Sequence, residues 1–101
     1  MLPVVSVSCG RELDLCRALV QVLAETAPSQ IYRINPSPHP PQAFDLRLDV
    51  NGQGQARLTW KGGAKAGEAV TRAGMSDTDL SRALLTVSPE LKRALRAHQS
   101  L

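Results

Sequence analysis

The stretch FDLRLDVNGQGQARLTWK, residues 44–61, carries the strongest pattern in the chain and decides how the rest is read. Phe44, Leu46, Leu48 and Val50 alternate with Asp45, Arg47 and Asp49. Beyond Asn51-Gly52, Ala56, Leu58 and Trp60 alternate with Arg57, Thr59 and Lys61. A period of two sends successive side chains to opposite faces, so both segments read as strands of a hairpin with one apolar and one wet face. The same alternation sets the register. A two-residue turn at Asn51-Gly52 would place Leu46 opposite Arg57 and mix the faces. A five-residue loop from Asn51 to Gln55 instead pairs Val50 with Ala56, Leu48 with Leu58 and Leu46 with Trp60, and that register, or a shorter turn with a bulge, is expected.

Upstream, Val5, Val7 and Cys9 alternate with Ser6 and Ser8, which predicts a half-buried first strand ending at Gly10. Cys16, Leu19, Val20, Leu23 and Ala27 then recur at helical spacing, opposite Asp14, Arg17, Gln21 and Glu25, and Pro28 closes this amphipathic helix. Gln30 to Asn35, with Ile31, Tyr32 and Ile34, predicts a short strand. Pro36, Pro38, Pro40 and Pro41 remove backbone donors, so residues 36–42 read as an extended loop.

Downstream of the hairpin, Gly62, Gly63 and Gly67 mark a connection, and Ala69 to Ala73 reads as a weak strand at a sheet edge. Ser76 with Asp79 predicts a capped helix through Leu80, Ala83, Leu84 and Val87. Ser88-Pro89-Glu90 restarts the chain as N-cap, N1 proline and favourably placed acid for a last helix bearing Leu91, Ala94, Leu95 and His98. The expected fold is a single α+β domain over residues 1–101. It is a two-layer α/β sandwich with a mostly antiparallel sheet of four to five strands and helices on one face, in the order β-α-β-β-β-(β)-α-α. The first strand-helix-strand unit adds one parallel pair by a right-handed crossover.

A chain of 101 residues with 43% apolar content supports one hydrophobic core. Charges interrupt every apolar run well short of the roughly 18 to 20 residues of a membrane span, so no membrane insertion is expected. No secretory leader is legible in Met1 to Ser8, which leaves an exported mature domain and a cytoplasmic one both open. The net charge of +3 gathers in the C-terminal half, with eight Lys or Arg against four acids after residue 50.

Site chemistry is sparse. Cys9, between a strand and a helix, has the position of a dipole-activated nucleophile, yet a phosphatase-like loop wants Arg where Leu15 stands. Cys9 and Cys16 both fall on core-facing sides and read first as small buried hydrophobes; a disulfide between them is geometrically feasible and would imply an oxidising compartment. Cys9, Cys16, His39 and His98 lack the paired spacings of a metal site. Lys65 in the glycine segment is followed by Ala66 instead of Ser or Thr, so no nucleotide loop and no cofactor are expected. Arg57 and Lys61 on the hairpin with Lys92, Arg93 and Arg96 on the last helix are candidate phosphate contacts, but three aromatic residues give no stacking platform, which weighs against nucleic acid.

The expected function is a non-enzymatic protein-binding or assembly module. It would meet another protein, or its own copy, through the weak edge strand or through a proline surface at Pro36, Pro38, His39, Pro40 and Pro41. The alternatives are a weak nucleic-acid binder using the basic last helix and a small enzyme with Cys9 as nucleophile.

Overall fold

The computed structural model describes residues 2–38, 40–63 and 65–100. His39, part of the expected proline surface, lies outside the described residues. The chain runs β1 (Val4–Ser8), α1 (Leu13–Thr26), β2 (Ile31–Ile34), β3 (Phe44–Val50), β4 (Gln55–Gly62), β5 (Lys65–Arg72), α2 (Asp77–Val87) and α3 (Pro89–Gln99). It is an α+β fold, one five-stranded sheet in the order β2-β1-β3-β4-β5 with the helices packed on one side.

The hairpin adopts the register that keeps its faces apart, with Leu46 opposite Trp60, Leu48 opposite Leu58 and Val50 opposite Ala56. Asn51 holds the five-residue loop. Its Oδ1 accepts from the backbone N–H of Gln53 at 2.9 Å and of Gln55 at 3.0 Å, while Gly54 takes the left-handed φ of +75° that the return requires. Phe44, Leu46, Leu48, Ala56, Leu58 and Trp60 are all buried, joined in the core by Val5, Val7, Leu19, Leu23, Leu84, Leu91 and Leu95.

Three features differ from the sequence reading. First, β1 pairs in parallel with both β2 and β3, so there are two parallel ladders and not one. The antiparallel ladders remain the longer, with six and eight residue pairs against four and four. The reason is the proline segment, which carries the chain from β2 across β1 to β3. Pro36, Pro38, Pro40 and Pro41 share a hollow with Val4 and Arg33, whose register puts them on the sheet face away from the helices, and Ser6 beside them on that face is buried. Second, the glycine segment is not a loose connection. The last strand starts at Lys65 and ends at Arg72, where Ala69 to Ala73 was expected, and Gly67 sits within it. Gly67 lies opposite Trp60, and a Cβ there would come within 2.5 Å of the indole Cζ2. The glycine serves the ring that lies over it, a close approach no other residue permits.

Third, Ser88 stands between α2 and α3 but its side chain makes no cap hydrogen bond. Only its carbonyl serves the new helix, accepting from Leu91 N at 3.1 Å. With a single residue between two helices, the backbone is bent to turn the corner (φ −130°, ψ 79°) and the hydroxyl is not aimed at the free N–H groups. Ser76 does cap α2, its Oγ accepting from Asp79 N at 3.2 Å.

Tyr32 fastens β2 to the end of α1. Its hydroxyl lies against the carbonyls of Ala27 and Leu23 and accepts from Gln30 Nε2 at 3.1 Å. Burial pushes its pKa above the usual 10.0, with the Gln30 hydrogen bond pulling the other way. The folded state therefore holds the phenolic proton at pH values where the unfolded chain has lost it, and the Tyr32 contribution to stability should be level below about pH 10 and fall as pH rises from there toward the folded pKa. Urea midpoints measured across this range should show that decline, and Tyr32→Phe should flatten it at some cost in stability at neutral pH. An identical alkaline decline in the variant would assign the effect to another group.

Candidate interaction surfaces

The sulfurs of Cys9 and Cys16 are bonded to each other, with the Cα atoms 6.0 Å apart, and both residues are buried. Cys9 leaves β1 and Cys16 lies in the second turn of α1, so the bridge ties the strand end to the helix start. Asn35 braces the same corner, its Oδ1 accepting from Cys9 N at 2.8 Å. A sulfur held in this way presents no thiolate to a substrate. Among the described residues no group of three or more His, Cys, Asp or Glu side chains could hold a metal ion. His98 turns inward: its ring lies 5.5 Å from that of Phe44, and its Nε2 is 3.0 Å from the Val4 carbonyl.

The five basic residues considered as phosphate contacts are not brought together. Arg57 and Lys61 project from the sheet face opposite the helices, because their β4 neighbours Ala56, Leu58 and Trp60 fill the core side. Arg57 Nε is 3.4 Å from Glu68 Oε1 across the β4–β5 ladder. Lys92, Arg93 and Arg96 ride on α3, on the other side of the sheet. Lys92 lines a shallow hollow that also contains Glu25 and Arg82, whose side chains pair at 3.6 Å between α1 and α2. Arg93 lines a different hollow, together with Glu68 and Glu90. No helix among the described residues is long and apolar enough to cross a membrane.

Two surfaces remain. The proline segment with Val4, Arg33 and Ile34 encloses a hollow of about 580 Å³. The other surface is the free side of β5, the last strand of the sheet. Its hydrogen-bonding parity can be read from the turn beside it. Gln55 O accepts from Asn51 N on the β3 side, and Gly54 O accepts from Ala73 N at 2.8 Å on the β5 side. Successive residues of a strand aim their N–H and C=O groups to alternate sides. Counting back from Ala73, Thr71, Ala69 and Gly67 therefore bond toward β4, and Arg72, Val70, Glu68 and Ala66 aim their backbone groups outward, where no further strand pairs among the described residues.

All four outward residues are exposed, including Val70 at 39%, and their side chains lie on the wet face. Beside the first half of this edge, Trp60, Lys65, Gly67, Ser88, Glu90 and Arg93 line a hollow of about 530 Å³ between β5 and α3. The Trp60 ring is buried there and its Nε1–H has no hydrogen-bond partner among the described residues. Sequence reasoning located an edge here but missed Glu68, Val70 and Arg72 as a set. The alternation of Ala66, Glu68, Val70 and Arg72 with the small residues Gly67, Ala69 and Thr71 was the signal, masked by reading Gly67 as part of a turn. No protein-family model matches the chain, and no curated protein matches it.

Proposed function

We propose that this chain is a non-enzymatic protein-binding or assembly module that works by strand pairing at the free edge of β5. One observation carries the reading: β5 is the last strand of the sheet, and Ala66, Glu68, Val70 and Arg72, whose backbone groups aim away from β4, are all exposed. Such a row is a template for a further strand, since main-chain hydrogen bonds supply affinity and side chains at alternate positions supply selectivity. The opposite edge offers less, because β2 has four residues and runs directly into the proline segment. The buried Cys9–Cys16 bridge fits work in an oxidising compartment.

Val70→Pro tests the proposal. The N–H of Val70 points outward, so proline removes an edge donor without removing a bond to β4, and proline is accepted on edge strands. The variant should keep the circular dichroism spectrum of the native protein and lose its β5-dependent partner, whether another protein or a second copy, in affinity enrichment from the source cell. Equal recovery of every partner by both proteins would overturn the proposal.

A further inference from the structure

Resting on that reading of β5, we infer that the strand added at this edge is β5 of a second copy, paired antiparallel about a two-fold axis at Val70. The parity argument restricts the choices. Antiparallel edges join where outward-facing residues meet outward-facing residues, so Ala66, Glu68, Val70 and Arg72 must oppose members of the same set. Any offset by one residue would also set a core-side chain against a wet-side one.

A two-fold axis at any residue of the strand keeps this parity, and the three near its middle, at Glu68, Ala69 and Val70, compare directly. Centring on Glu68 sets two carboxylates face to face. Centring on Ala69 places Glu68 opposite Val70 and Arg72 opposite Ala66, so no charge has a counter-charge directly opposite it. Centring on Val70 places the two valines together and sets Glu68 of each copy opposite Arg72 of the other, twice by symmetry. Charged residues on an edge commonly keep copies apart, but here their order makes the edge complementary to itself. Arg72 is exposed and has no ion-pair partner among the described residues, so its guanidinium is available. On the core side of the same arrangement, Ala73 of the second copy falls opposite Gly67, at the border of the hollow beside Trp60.

Sedimentation velocity on the full chain tests this, with thermal unfolding as the check that each variant is folded. The native protein should dimerise reversibly. Arg72→Glu should weaken the dimer by about tenfold or more, because it sets like charges opposite each other at two places. Glu68→Arg should do the same, and the double variant Glu68→Arg/Arg72→Glu should recover the dimer by restoring opposite pairs. Arg72→Glu is the cleaner single change, since Glu68 also meets Arg57 within the monomer. A dimer that tolerates both single variants but dissociates with Val70→Pro would overturn the Val70-centred register while leaving the edge in use. A chain that stays monomeric yet loses another protein with Val70→Pro would overturn self-pairing and leave the edge reading intact. A dimer indifferent to Val70→Pro would overturn both.

Discussion

Replacing Phe44 with alanine is expected to cost the fold about 3–5 kcal/mol, a large part of the roughly 5–15 kcal/mol that holds an ordinary domain together. Phe44 is buried at the start of β3 and meets both β4 and α3. Its ring stacks on Trp60 with centroids 6.0 Å apart and planes within 9°, and it meets the His98 ring of α3. It also covers the backbone of Gly62 directly opposite, where a Cβ would come within 2.3 Å of the ring. Truncation therefore opens a cavity, forfeits the aromatic pair and uncovers a glycine that has no side chain to fill the space. Urea unfolding should show a far lower midpoint, with Phe44→Leu intermediate. A loss below about 1 kcal/mol would mean that the hairpin and α3 do not share the core described above.

Removing the Cys9–Cys16 bridge should cost about 2–4 kcal/mol. The bond spans a sequence separation of seven, and closing so short a loop in the unfolded chain accounts for about 2.5 kcal/mol on the chain-entropy view. Both sulfurs lie in the core, so Cys9→Ala/Cys16→Ala adds the loss of buried packing to that figure. Intact mass after alkylation of the denatured, unreduced chain should show no adducts, and two after reduction. Two adducts without reductant would show that the thiols are free, and the cost of the double variant would then be that of packing alone.

The part of the fold carried by local alternation was the part most legible in the sequence. The β3–β4 register follows from which residues share a face, because a one-residue slip exchanges the wet and dry sides along the whole hairpin. The amphipathic stripe of α1 was legible for the same reason, although Leu15 and Val22 widen it. They do so because α2 packs alongside, its Arg82 reaching Glu25, and the period within a single helix carries no information about its neighbour. The parallel pairing of β1 with β3 depends on where a proline segment crosses the sheet, which no local pattern records. Gly67 illustrates a different obscurity: a glycine required by an aromatic ring across a ladder looks, in sequence, like one required by a turn. The basic residues had a similar ambiguity. Arg57 and Arg93 look alike on a charge count, and only the layering of helix over sheet places them on opposite sides.

The free edge of β5 was legible as a weak strand, but its self-complementary order was not. Recognising that Glu68 and Arg72 flank Val70 on one face required knowing that the strand begins at Lys65 and which of its amides face outward. Residue-resolved amide exchange at low and high protein concentration reads this most directly. Thr71, Ala69 and Gly67 should exchange slowly at both concentrations, while the amides of Glu68, Val70 and Arg72 should exchange fast when dilute and become protected as the chain associates. Amides at Glu68, Val70 and Arg72 that exchange equally fast at both concentrations would contradict the pairing of β5 with a second copy.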